Sequence, residues 1–202
     1  MELIETIANE PKIVKYLDIP IQHCNSKILS LMNRRGNGEY IRELFATLRE
    51  KIPGLVIRTS VITGLPGEGE EEFEELCKFL KELRLERVGA FAFSPQEGSE
   101  AFNMEYVDAE VAQKRAEILE MIQSGIMDDY NAAMIGKTVE VLIEGYDEEF
   151  EQFYGRTYAD SPDIDGRVWI ASEESLREGE FVMVCIDSSI EGDLAGYIVE
   201  EE

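Results

Sequence analysis

Two stretches of this sequence hold residue types able to grip a small molecule. The first is Tyr16-Leu-Asp-Ile-Pro-Ile-Gln-His23, and the second is Arg58-Thr-Ser-Val-Ile-Thr-Gly-Leu-Pro-Gly-Glu68. Each reads as a buried strand that ends in polar or glycine-rich residues. In an α/β barrel such strand ends converge on one face, where small-molecule sites are built. Strand alternation places Arg58, Ser60 and Ile62 on one face and turns Thr59 and Thr63 toward a helix layer. An arginine inside a barrel needs an anion, supplied by a ligand carboxylate or by a neighbouring acid. Gln22 has two readings, a hydrogen-bonding group at a barrel mouth or a polar cap on a strand end. His23 is the only histidine, so a pair of histidines for acid–base work and a histidine-rich metal site are both excluded. Gly64-Leu-Pro-Gly-Glu68 lacks the lysine and serine or threonine of a nucleotide-triphosphate loop.

The elements needed to position these residues follow from the pattern. Strand-like runs at Val14–Gln22, Leu55–Thr63 and Val88–Phe93 alternate with helical periodicity. Asn25 is an N-cap for a helix bearing Ile28, Leu29, Leu31 and Met32. Ile41, Leu44, Phe45 and Leu48 share one face of the next helix, which Pro53-Gly54 stops. Glu70, Glu71 and Glu72 suit the start of a third helix, which buries Phe73, Leu76, Cys77, Leu80 and Leu83. Phe91 and Phe93 could stack on a base, but alternating aromatics in a strand read first as core. Strand–helix units in series predict a parallel sheet with right-handed crossovers. Three such strands are too few to close a barrel. From Asp108 to Ile135 a longer helical pattern reads as a connector. Beyond Gly136 the period changes to two, with short strand-like segments near Thr138–Ile143, Phe153–Tyr158, Val168–Ala171, Phe181–Ile186 and Ala195–Val199. Turn signals separate them and predict a small antiparallel barrel.

Composition narrows the function classes. With 202 residues, 44% of them hydrophobic, the chain can bury one substantial core or a moderate core and a satellite. Its 43 acidic and 19 basic residues give a net charge of -24, which argues against indiscriminate binding to phosphate backbones. The charge is lopsided: residues 137–202 hold 19 acidic and 4 basic residues. Most of it, including Glu70–Glu72, Glu148-Glu149 and Glu200–Glu202, reads as solvated surface. Cys24, Cys77 and Cys185 lie far apart, without metal-site spacing and with no disulfide framework, so a reducing cytosol fits. The start of the chain has no secretory core, and no apolar run reaches the roughly 18 residues of a membrane span.

Taken in order, Asp18-Ile-Pro-Ile-Gln-His23 with Ser26–Arg34, Arg58–Glu68 and Phe91-Ala-Phe-Ser-Pro-Gln-Glu-Gly98 resemble the radical S-adenosylmethionine methylthiotransferases, and the tail from Gly136 resembles their TRAM domain. The resemblance spans nearly the whole chain. It implies the later half of a radical-SAM barrel at 1–107, three parallel strands with helices, then a linker helix at 108–135 and an all-β antiparallel TRAM barrel at 136–202. Gln-His at 22–23, with Gly155-Arg-Thr-Tyr158 and Ser161-Pro-Asp-Ile-Asp165, is similar to the branch that methylthiolates the β-carbon of an aspartate on ribosomal protein twelve of the small subunit. The tRNA-modifying branch usually places serine-glycine-serine after the glutamine. The resemblance further implies S-adenosylmethionine as cofactor, contacted by Gln22, Arg58, Ser60, Ile62 and Gly64, with His23 toward the substrate. Two 4Fe–4S clusters belong to the complete enzyme, but this sequence contains no CxxxCxxC loop. It therefore reads as a carboxyl-terminal portion, inactive alone, with no catalytic residue and no metal ligand assigned. The acidic tail implies a basic protein partner rather than tRNA, in the cytoplasm. A non-catalytic module that grips a basic protein is the alternative from another class.

Overall fold

The computed structural model describes residues 2–172 and 175–199. The expectation for Glu200–Glu202 lies outside them. The chain divides into two compact units, Met1–Ile126 and Met127–Glu202. The first opens with helix α1 (Glu2–Asn9), strand β1 (Tyr16–Asp18), and helices α2 (Ser26–Leu31) and α3 (Gly38–Lys51). Strand β2 (Val56–Thr63), helix α4 (Glu70–Leu83) and strand β3 (Arg87–Ala92) follow. A 3-10 turn at Glu100–Asn103 leads to helix α5 (Ala109–Ala132). Local chemistry sets the helix starts: the Asn25 side chain accepts from the backbone N–H groups of Lys27 and Ile28, and that of Asn37 accepts from Tyr40.

The three strands form a parallel sheet in the order β1-β2-β3. Asp18 pairs with Arg58, and β2 pairs with β3 from Arg58–Arg87 to Thr63–Ala92. One face of β2 is packed: Ile57 and Val61 are fully buried and share a core with Phe45, Leu76, Phe79, Leu80 and Leu119. Thr63 lies on that face too and donates to the carbonyl of Ala112 in α5 at 2.8 Å. The opposite face, bearing Arg58, Ser60 and Ile62, is only half-buried. Phe91 is in register with Ile62 and 53% exposed. Its expected place in the core is thus corrected: the register puts it on the face that the helices leave uncovered. Phe93 is half-buried and packs edge-on against Tyr106 at 5.4 Å.

The first strand is shorter than the pattern over 14–22 predicts, because Pro20 has no N–H to give. The Thr59 hydroxyl fills the break, donating to the Ile19 carbonyl at 2.8 Å and accepting from the Ile21 N–H at 3.1 Å. The ladder then resumes as a single parallel bridge between Gln22 and Val61. Helix α5 is also more than a spacer. Ala112, Ala116 and Leu119 are buried, and residues up to Ile126 belong to the first unit.

The second unit holds β4 (Thr138–Asp147), β5 (Gln152–Arg156), β6 (Val168–Ala171), β7 (Phe181–Ile190) and β8 (Asp193–Ile198). They close into a barrel in the order β4-β5-β6-β8-β7. Alternate residues Val141, Ile143, Val168, Ile170, Val184, Ile186 and Leu194 fill it. The expected all-antiparallel barrel is corrected at one seam, where β6 and β8 pair in parallel. The reason is parity: in a closed ring of five, neighbours cannot alternate in direction all the way round. No helix among the described residues is long and apolar enough to cross a membrane.

Two glycines make the closure possible. A Cβ on Gly155 would lie 2.2 Å from the Leu142 carbonyl oxygen, and one on Gly196 would lie 2.2 Å from that of Cys185. Gly196→Ala should therefore cost about 1–3 kcal/mol through forced backbone movement. Gly125→Ala, inside α5 with nothing within 4 Å of the added carbon, should gain up to about 1 kcal/mol. Thermal denaturation of the two variants should shift in opposite directions.

Candidate functional site

The open face of the sheet bears three of the residues singled out by sequence, Arg58, Ser60 and Ile62, and Gln22 lies at the end of the neighbouring strand. Gln22 has a φ of 68°, a left-handed conformation uncommon for a residue with a side chain and held only where the surroundings enforce it. Its neighbours do so: its N–H donates to the Ser60 carbonyl at 2.9 Å, and its carbonyl accepts from the Ile62 N–H at 2.8 Å. Among the described residues neither the Gln22 carboxamide nor the Ser60 hydroxyl has a hydrogen-bond partner, and both residues are half-buried. Ile62 adds an apolar edge to the same face.

Arg58 has the neighbouring acid as its anion: its Nη1 lies 2.8 Å from Asp18 Oδ2 across the β1–β2 ladder. Its charge is met within the sheet, so it can orient a ligand without depending on one. Gly64 has a φ of 77°, and a Cβ there would meet the Ala112 Cβ at 2.4 Å. The close approach that Gly64 permits in this structure is that of helix α5. Its N–H donates to Glu68 Oε1 at 2.8 Å.

His23, for which the sequence leaves a structural role and a substrate contact both open, has a fully buried side chain. The ring Nδ1 accepts from the Asn25 N–H at 2.9 Å, which leaves the proton of a neutral ring on Nε2. Nε2 faces Glu68 Oε2 at 3.3 Å without completing a hydrogen bond. The other Glu68 oxygen, Oε1, receives Arg115 Nη1 at 2.8 Å, and Arg115 Nη2 reaches Glu70 Oε2 at 3.1 Å. The Arg115 guanidinium also lies 5.1 Å from the centre of the Phe73 ring. This buried histidine–carboxylate–guanidinium row ties the turn after β1 to the turn after β2. Sequence reasoning missed it: Glu68 stands inside a noted motif, but nothing local marks Arg115 as its partner.

The thiols do not form a ligand set. Burial, reinforced by the Glu75 carboxylate, pushes the Cys24 thiol up to about 12, and burial also raises that of Cys77. Cys185 lies in the other unit. Among the described residues no group of three or more His, Cys, Asp or Glu side chains is placed to share an ion.

Comparison with known proteins adds a lineage to this geometry. Residues 1–80 match the radical SAM superfamily and residues 135–199 match the TRAM domain. The chain is 45% identical over 196 residues to a protein named ribosomal protein uS12 methylthiotransferase RimO from Thermoanaerobacter sp. strain X514, covering 96% of this chain and 44% of that protein. Proteins of the same name are 46% identical in Caldanaerobacter subterraneus, over 96% of this chain and 44% of theirs, and 43% identical in Anaeromyxobacter sp. strain Fw109-5, over 99% and 43%. The chain thus spans less than half the length of the curated relatives it matches. Among solved structures, the coproporphyrinogen III oxidase HemN of Escherichia coli, described as a radical SAM enzyme, aligns with a TM-score of 0.42 and 20% identity over 66% of this chain and 29% of its own.

Two outcomes test the site's buried chemistry. Glu68→Ala would strand the buried Arg115 and should cost about 3–5 kcal/mol in denaturant unfolding, whereas loss of under 1 kcal/mol would show the row to be incidental. Because the folded Cys24 holds its proton up to about pH 12 and an unfolded thiol releases it near 9, stability should fall as pH rises across that window. At pH 8 Cys24 should resist iodoacetamide until the chain is unfolded, as mass spectrometry of the labelled peptides would reveal.

Proposed function

We infer, for a chain of RimO type that joins a radical SAM portion to a TRAM domain, that it supplies the later barrel strands and the substrate-holding tail of a methylthiotransferase. In this reading the full enzyme modifies the β-carbon of an aspartate on ribosomal protein uS12. The observation that carries it is the one-sided sheet, whose open face bears an unengaged Ser60 beside Arg58 and Ile62, next to a strained Gln22 bridged to Val61 at the end of β1.

That face fits S-adenosylmethionine. Gln22 and Ser60 offer hydrogen bonds to its polar groups, Ile62 offers an apolar edge to its base, and Arg58 offers a cation already steadied by Asp18. Gln22, Arg58, Ser60 and Ile62 would hold the cofactor there, and it would supply radical chemistry at the aspartate C–H bond, with the electron for its cleavage coming from an iron–sulfur cluster of the full enzyme. The protein's own part is to hold the cofactor in one orientation and to keep the Gly64 turn fixed through Glu68, His23 and Arg115. His23, sealed from solvent, acts as a positioning residue. An iron–sulfur cluster needs accessible thiolates at short spacing, and Cys24, Cys77 and Cys185 do not provide them. No step is therefore assigned to these cysteines, and the 202-residue chain alone transfers no methylthio group.

Charge selects between substrates. A tail with 19 acidic and 4 basic residues repels tRNA phosphates and draws in a lysine- and arginine-rich protein, which favours uS12 over tRNA and a cytoplasmic site of action. Labelled methylthio transfer by a longer enzyme carrying this sequence should mark uS12, and marking of tRNA instead would overturn the choice of substrate. Within that enzyme, Gln22→Ala should raise the KM for S-adenosylmethionine about tenfold through loss of a hydrogen bond or two, with unfolding unchanged.

A further inference from the structure

The second unit already shows how its aromatic residues hold a cation. The Arg167 guanidinium lies 4.6 Å from the centre of the Tyr154 ring and 6.0 Å from that of Trp169. Trp169 is 5.9 Å from Tyr154 and 5.3 Å from Phe150, ring centre to ring centre. The three rings form a continuous strip whose Tyr154 end carries that cation. At the Phe150 end a cleft of about 540 Å3 opens between the β4–β5 turn, β6 and the β7–β8 hairpin. Phe150, Trp169 and Ile190 give it apolar walls, while Asp187, Glu191 and Asp193 give it charge. Phe150 is 62% exposed, and no lysine or arginine is among the described residues that line the cleft.

The negative charge here is fixed in place. Asp193 accepts from the Trp169 indole Nε1 and from the Arg167 backbone N–H, each at 2.8 Å, and Asp187 accepts from the Ser188 hydroxyl. These donors are uncharged, so they orient the carboxylates without cancelling them. An aromatic face beside oriented carboxylates is the environment in which an ammonium or guanidinium group is held best.

We propose that this cleft receives a lysine or arginine side chain from an extended segment of a basic protein, with the aliphatic stem along Phe150 and Ile190 and the charged head toward Asp187, Glu191 and Asp193. The proposal rests on the reading of a basic protein substrate and names the place where the tail holds it. Phosphates would meet the same carboxylates and be repelled, so the occupant is protein and not RNA.

Trp169 is the only tryptophan of the chain, so its fluorescence reports directly on the cleft. Titrating the full 202-residue chain with a 12-residue peptide of alternating lysine and glycine should give a saturable change that weakens as salt rises. A glutamate–glycine peptide and a single-stranded RNA of similar length should give none. Phe150→Ala and the double variant Asp187→Asn, Glu191→Gln should each raise the Kd at least tenfold, and Glu140→Gln, which removes a single charge from β4, should change it less than twofold. The double variant is on the exposed rim, so it keeps the test valid if Phe150→Ala disturbs folding. Equal weakening by Glu140→Gln, or tight RNA binding that moves Trp169, would overturn the cleft. Diffuse binding of that kind leaves a basic partner standing, whereas labelling of tRNA by the longer enzyme sinks the substrate reading itself.

Discussion

Strand β2 has a neighbour on each side of its sheet, and its alternation decides what the first unit can do. Ile57, Thr59, Val61 and Thr63 point into the helix layer, and their burial obliges Arg58, Ser60 and Ile62 to point the other way. A slip of one residue in its pairing would send the guanidinium into a hydrocarbon core and bring valine and isoleucine to the surface. The cost of burying that charge unpaired far exceeds any single packing term. The register is therefore strongly specified, and the open face inherits its definition from it. The hydroxyl of Thr59 extends this control to the preceding strand, where Pro20 would otherwise leave the ladder broken.

Much of this arrangement was legible in the residues. The periods of the helices, the Asn25 cap, the parallel sheet and the change to period two after Gly136 follow from local chemistry that tertiary contacts did not override. The face shared by Arg58, Ser60 and Ile62 followed from alternation alone. What could not be read was decided by residues far apart in the chain. His23 looks like a group at a barrel mouth until Glu68 and Arg115 are brought around it. Gly64 looks like a space left for a ligand until Ala112 fills that space. Phe91 looks like core because its strand is apolar, yet which side of a sheet the helices cover is a property of the fold and not of the strand. The parallel seam of the tail barrel was missed for a different reason: alternation identifies strands but says nothing of their order around a ring.

The two units use charge in contrasting ways. In the first, the carboxylates that matter are spent internally: Asp18 on Arg58, Glu68 on Arg115 and the Gly64 amide. They make turns rigid at the ends of strands, where orientation is worth most. In the second, Glu144 meets Arg156 at 2.6 Å, but residues 137–202 carry 19 acids against 4 bases, so the net charge stays strongly negative. One unit fixes geometry and the other projects a field, a division suited to holding a small molecule at one place and attracting a large one to another.

The strand order of the tail barrel also carries a consequence for biosynthesis. The last strand, β8, slots between β6 and β7, both of which are made before it. Until Asp193–Ile198 has left the ribosome, each of those two strands offers a bare row of amides and carbonyls, and the barrel stands open like an unfastened cuff. Such rows are templates for unwanted pairing between chains. A nascent chain that stalls after Ile190 would thus expose two sticky margins at once, and the six residues of β8 act as the clasp that removes both.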